Sequence, residues 1–165
     1  MKIFLTGMPG SGKTIAAQKI AVDKRLNFID TDTMIEYEFN KSISDIFKED
    51  GEEKFRKYEQ SVLNKIFIKD NFIAATGGGL PCFHNNMNEM NKNGITFWLN
   101  VSVKIILQRI NSSTKRPLLN GKNEYELLNY INETLQQRRK FYEQAKYIVN
   151  SENELIEIIN SKLFN

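Results

Sequence analysis

Hydrophobic and polar positions follow two regimes along this chain. Short apolar runs recur at Lys2-Ile3-Phe4-Leu5-Thr6, Leu26-Asn27-Phe28-Ile29-Asp30, Phe72-Ile73-Ala74-Ala75-Thr76, Ile95 to Leu99 and Tyr147-Ile148-Val149. Their brevity and lack of helical spacing predict strands buried on both faces. Between them the apolar residues fall at helical intervals. Thr14 to Lys24 predicts a helix with Ile15, Ala16, Ile20 and Ala21 as its apolar face, and Glu52 to Phe67 another, carrying Phe55, Tyr58, Val62, Leu63 and Ile66. Val103 to Ile110, Glu124 to Tyr142 and Glu152 to Leu163 predict three more. Ser42-Ile43-Ser44-Asp45 has the spacing of a helix N-cap, with a helix after it that stops near Asp50-Gly51. Asn93-Gly94 marks a turn, and Asn111 to Asn123, polar and without a period, reads as a mobile loop. Strands alternating with helices predict an α/β fold, a parallel sheet covered on both faces.

Length and composition narrow the class. A chain of 165 residues, 41% hydrophobic, is one domain. Cys82 is the only cysteine, which excludes an intrachain disulfide and a zinc site built on paired cysteines. His84 is the only histidine, so Ser-His or Cys-His relays have little to draw on, and among asparagines it reads as exposed. Cys82 has no base or cationic cluster near it in sequence, and Met87 and Met90 read as packing. The net charge of +3 is too balanced to indicate a nucleic-acid partner. No apolar run approaches the ~20 residues of a membrane span. The N-terminal strand turns to glycine too early for a secretory signal, so the expected location is the cytoplasm. Of the basic residues 17 are lysine and only six arginine. Where lysine serves for generic charge, each of Arg25, Arg56, Arg109, Arg116, Arg138 and Arg139 is a candidate for a planar, bidentate donor.

Gly7-Met8-Pro9-Gly10-Ser11-Gly12-Lys13-Thr14 matches the phosphate-binding pattern G-x-x-x-x-G-K-[ST] in full. A strand precedes it and a helix follows, the context the motif needs. The glycines let backbone N–H groups turn around a phosphate, Lys13 reaches the β- and γ-oxygens, and the Thr14 hydroxyl can ligate Mg²⁺. Asp30-Thr31-Asp32 ends the second strand, at the sheet edge where such folds bind ligands. One carboxylate could hold a metal-bound water and the other contact an acceptor hydroxyl; alternatively the pair caps a helix. Gly77-Gly78-Gly79 follows the third strand and permits close backbone approach to a ligand. Arg56 has Glu52 and Glu59 at i−4 and i+3, which makes either a surface ion-pair face or an arginine held ready to grip a carboxylate. Arg109 precedes the polar loop and Arg116 lies within it. Arg138-Arg139-Lys140 is either a solvated face or a second grip.

As an ordered set these motifs resemble the shikimate kinase family, of the nucleoside-monophosphate-kinase-like group of P-loop folds. The set is Gly7 to Thr14, Asp30-Thr31-Asp32, Phe55-Arg56 with Glu59, Gly77-Gly78-Gly79, Arg116-Pro117-Leu118-Leu119, and an arginine four residues before Tyr142. The resemblance covers Lys2 to about Val149 and implies a three-layer fold with five parallel strands in the order 2-3-1-4-5. It implies a single domain over residues 1–165, with a substrate-binding helical region at about 32–60 and a lid at about 111–123. The implied reaction is ATP-dependent phosphorylation of the shikimate 3-hydroxyl, with Mg²⁺ as cofactor, in aromatic amino-acid biosynthesis. ATP and shikimate are the implied partners, with no nucleic acid or membrane, and a monomer is expected. Lys13, Asp32 and Arg116 would be catalytic. Gly10, Ser11, Gly12, Lys13, Thr14, Ile15, Arg109 and Arg116 would bind ATP. Asp32, Arg56, Gly77, Gly78, Gly79 and Arg138 would bind shikimate, and Thr14 and, through water, Asp30 would hold the metal. Many relatives have proline two residues after the helix arginine; here Lys140 stands there, and the Arg138-Arg139 pair leaves the register open by one. Another small-metabolite P-loop kinase, for gluconate or a nucleotide, is the closest rival, and a nucleotide-binding switch without turnover is the alternative of a different class.

Overall fold

A computed structural model describes residues 1–111 and 123–164 of the chain. Its strands are β1 (Lys2–Thr6), β2 (Asn27–Asp30), β3 (Phe72–Ala75), β4 (Ile95–Leu99) and β5 (Tyr147–Val149). They form one sheet in the order β2-β3-β1-β4-β5, every pairing parallel. Between the strands run α1 (Lys13–Lys24), α2 (Thr31–Phe39), α3 (Ile43–Glu49), α4 (Gly51–Phe67), α5 (Asn86–Asn93), α6 (Val103–Asn111) and α7 (Glu124–Tyr142), with α8 (Glu152–Leu163) closing the chain. The strand order and class are those expected from the sequence. Among the described residues no helix is long and apolar enough to cross a membrane.

Side-chain alternation along β1 divides the core. Ile3 and Leu5 pack with residues of α1, α6, α7 and α8. Phe4 points into the other layer, against α2 to α5, where it meets Phe72 edge-on at 5.4 Å. Each such large side chain, taken fully out of water, stabilises the fold by about 1.5–3 kcal/mol. Because both faces are covered, the polar chemistry is pushed to the carboxyl edge of the sheet. The chain leaves β1 at the switch point, between β3 on one side and β4 on the other.

Four local readings change. On α1 the buried face is Ala16, Ala17, Ile20 and Ala21, while Ile15 is 58% exposed. Lys13 is turned into the phosphate loop, and Ile15, two residues on, lies about 200° around the helix from it. Helix α2 has too weak an apolar period to announce itself; its start is built by Asp30, whose carboxylate accepts from the Asp32 and Thr33 N–H groups. Helix α5 is mostly polar and asparagine-rich, and Met87 and Met90 are the side chains that anchor it in the core. Asn111 belongs to α6, and Asn123 is the N-cap of α7, where its side chain and that of Glu126 form a reciprocal capping box. The rest of the expected lid, Arg116 included, lies outside the described residues.

Candidate active site

The phosphate loop follows from its glycines. Gly7, Gly10 and Gly12 have φ of 136°, 85° and 100°, the left-handed half of the map that side chains rarely enter. The loop therefore curls back over the start of α1. Lys13, 7% exposed, folds over it and donates to the Gly7 and Met8 carbonyls, both at 2.9 Å. Those contacts hold an ammonium that a phosphate can take over. Ser11 is buried inside the loop, and Ile15 is exposed one turn along. Arg109, from α6, donates to the carbonyls of Gly10 (3.3 Å) and Ser11 (2.7 Å). It also lies so close to Gly12 that a β-carbon there would stand 2.9 Å from its Nη1.

Asp30 has two tasks. One oxygen caps α2, and the other accepts from the Thr14 hydroxyl at 3.0 Å. The capping reading and the metal reading thus meet in one residue. Asp32 sits in the first turn of α2 with its carboxylate against the Gly77 α-carbon, where a β-carbon would collide with Oδ1. The Gly77 N–H donates to Thr31 Oγ1 at 2.8 Å, which bolts the glycine loop to the Asp30-Thr31-Asp32 segment.

The three consecutive glycines have separate neighbours. A β-carbon on Gly78 would meet Pro9 Cδ at 2.7 Å and Arg138 Nη1 at 3.0 Å; one on Gly79 would meet Arg56 Nη1 at 2.6 Å. Asp32 and both arginines are therefore gathered around one bare stretch of backbone beside the phosphate loop. Arg56 is 8% exposed. It donates from Nη1 to Glu59 at 2.8 Å and from Nη2 to Glu52 at 2.8 Å. The Phe83 ring stacks on its guanidinium at 4.1 Å. The face reading fails for Arg56, because the helix turns it and Glu59 inward. Arg139 is different: it points outward and pairs with Glu143 at 2.7 Å, 60% exposed. Arg138, one residue earlier, takes the inward position.

Sequence reading did not give Tyr142 or Phe83 a part in this site. Tyr142 is completely buried, and its hydroxyl donates to the Gly78 carbonyl at 2.6 Å. The only available signal was its place four residues after Arg138, one helical turn away. Cys82 lacks a cationic neighbour in sequence, but the fold brings Arg138 and Arg56 near it; burial still outweighs them and pushes the thiol up to about 11. His84 is exposed, as expected.

Burial pushes the Glu59 carboxyl up to about 7 against the pull of Arg56, with Asp32 adding to the rise. Burial alone would lower Arg56, but Glu59 and Glu52 carry it above its ordinary value. Between the ordinary carboxyl range and about 7 the folded chain holds a proton that the unfolded chain does not. Stability should therefore fall as pH rises through that window and level off above it. Urea midpoints followed from about pH 5 to about pH 8 should show this decline in the native chain and a flatter profile in Glu59→Gln; equal slopes would refute the assignment.

The sequence pattern of the shikimate kinase family matches residues 9–164. The chain belongs to the shikimate kinase family. The shikimate kinase of Bacteroides thetaiotaomicron is 40% identical over 153 residues, 92% of this chain and 87% of that one. A crystal structure of shikimate kinase from the same organism superposes with a TM-score of 0.92 at 37% identity, covering 97% of this chain and 94% of that one. The Acinetobacter baumannii shikimate kinase, solved in complex with shikimate, superposes with a TM-score of 0.88 at 29% identity, covering 99% and 95% of the two chains. Members of this family are ATP-dependent phosphotransferases, and the P-loop kinase fold expected from the motifs is the one observed.

Proposed function

We propose that the chain transfers the γ-phosphoryl group of ATP to the 3-hydroxyl of shikimate, acting as a monomer with Mg²⁺. The observation that carries this reading is the gathering of Asp32, Arg56 and Arg138 around Gly77–Gly79, beside the phosphate loop. A carboxylated polyol fits it: two guanidinium groups for the carboxylate, one carboxylate for hydroxyls, bare backbone for the ring. A nucleotide switch would need no such acceptor site. Helices α2 to α4 supply most of the acceptor region, and the lid with Arg116 would close over the phosphates.

In the ground state Lys13 and the loop N–H groups from Gly10 to Thr14 bind the phosphates, with Ile15 and Arg109 flanking the nucleotide. Thr14 and Asp30 offer two oxygen donors at one place, joined by their own hydrogen bond. Among the described residues no group of three or more His, Cys, Asp or Glu could hold a metal alone. That donor set fits Mg²⁺, which keeps several waters and takes other ligands from phosphates. Thr14 would bind the ion directly and Asp30 through water; when bound, it neutralises charge on the β- and γ-phosphates. Arg56 and Arg138 fix the substrate by its carboxylate. Asp32 then orients the 3-hydroxyl and accepts its proton late, since the transition state is loose and positioning carries most of the catalysis. Lys13 follows the γ-phosphoryl oxygens as charge shifts, and Arg116 would add a second cation.

A coupled assay with shikimate, gluconate, a nucleoside or no acceptor tests the reading. Turnover above the no-acceptor rate with shikimate alone is expected; preference for gluconate or a nucleoside overturns it. Arg56→Lys and Arg138→Lys should each raise the shikimate KM by about one to two orders of magnitude, because a charge-assisted fork is lost while charge is kept. Arg139→Lys should change it less than about twofold, as exposed ion pairs contribute little. Side-by-side KM values at saturating ATP decide; damage in Arg139→Lys instead of Arg138→Lys would move the grip by one residue.

A further inference from the structure

We propose that Tyr142 is a positioning residue of the acceptor site: its hydroxyl pins the Gly78 carbonyl and so sets the glycine loop against Arg138. The inference rests on the acceptor-site reading given above. The geometry is unusually complete for a side chain that no substrate would touch. Tyr142 is the last residue of α7 and has no exposed surface. Its ring packs on Trp98 at 5.7 Å, which fixes where the phenol points. The hydroxyl lies 2.6 Å from Gly78 O and 3.9 Å from Met8 Sδ, so it touches the acceptor loop and the phosphate loop at once.

The direction of the hydrogen bond follows from chemistry. A carbonyl oxygen can only accept, so the one phenolic proton is committed to Gly78. Arg138 stands one turn earlier on the same helix, so the hydroxyl and the guanidinium are carried by one rigid element. Arg138 Nη1 in turn stands 3.0 Å from the place a Gly78 β-carbon would take. Gly78, Tyr142 and Arg138 therefore form a closed set, in which moving the carbonyl moves the space the guanidinium occupies. Gly79, the next residue, abuts Arg56 in the same way, so the loop spaces both arginines. A phenylalanine at 142 would keep the ring packing but leave the Gly78 carbonyl without its donor.

Tyr142→Phe should raise the shikimate KM about five- to tenfold at saturating ATP, with kcat and the ATP KM changed less than about twofold. In an Arg138→Lys background the same change should add less than about twofold, because the arginine it positions is already gone. A full multiplicative effect in that background, or parallel rises in the shikimate and ATP KM values, overturns the proposal. If Arg138→Lys alone leaves the shikimate KM unchanged, it is the acceptor-site reading that fails, and the two failures are distinct. Should Tyr142→Phe not fold, the unaltered chain supplies the test. The ¹³Cζ resonance of Tyr142 in tyrosine-labelled protein should shift when shikimate saturates the site. A resonance that ignores shikimate overturns the proposal.

Discussion

Replacing Lys13 with alanine should lower kcat by about two to three orders of magnitude, the loss typical when one preorganised cationic or hydrogen-bonding partner of a transition-state oxyanion is removed. Lys13 is the ammonium the phosphate loop holds at its centre, 2.9 Å from two loop carbonyls. In the substituted chain those carbonyls lose a donor, but they belong to a loop whose path is set by glycines rather than by the lysine. The fold should therefore survive, with an unchanged far-ultraviolet circular dichroism spectrum and a modestly lower thermal midpoint. A variant with near-native kcat would remove the basis for assigning phosphate binding to this loop. One that is inactive because it is unfolded would show it in the spectrum.

Asp32→Asn has an expected effect of at least the same size, a fall in kcat of about two to four orders of magnitude with little change in ATP affinity. The amide keeps the shape that fits against Gly77, so packing is retained. It cannot take up the hydroxyl proton, and it removes the negative charge facing the acceptor. Asp30→Asn is the control. Asp30 holds Thr14 and caps α2; asparagine caps about as well, so the substitution should weaken metal-dependent ATP binding with little loss of stability. If ATP binding suffers in Asp32→Asn and acceptor kinetics do not, the roles of the two carboxylates are exchanged.

Much of the fold was legible because strong local signals agreed. Lys2–Thr6, Ile95–Leu99, Tyr147–Val149, Glu124–Tyr142 and Glu152–Leu163 begin and end where their apolar periods and caps do. Helices α2 and α5 were not legible. Each buries only one or two large apolar residues, Ile35 in one and Met87 with Met90 in the other, too few to stand out from a polar background. Arg56 shows the same limit within the candidate site. Its i−4 and i+3 glutamates read equally well as a solvated face, and only packing decides that Glu59 is 1% exposed and Glu52 is not buried. Arg138 and Arg139 are adjacent and chemically identical; one helical step, about 100°, separates the inward side chain from the outward one.

By itself the sequence determined the phosphate loop, the strand-and-helix alternation and the family, because those depend on residue types at short spacings. Glycines at Gly7, Gly10 and Gly12 permit backbone angles that other residues resist, wherever the loop ends up. Tertiary structure alone decided which groups converge. Asp32, Arg56 and Arg138 are far apart in the chain, on α2, α4 and α7, and they meet around Gly77–Gly79, the segment that leaves β3 at the carboxyl edge of the sheet. The Tyr142 hydroxyl finds the Gly78 carbonyl across 64 positions, a contact that no local pattern encodes. Burial is likewise a property of the folded whole, which is why the Glu59 carboxyl is carried up to about 7 only when the sheet and its helices have closed around it.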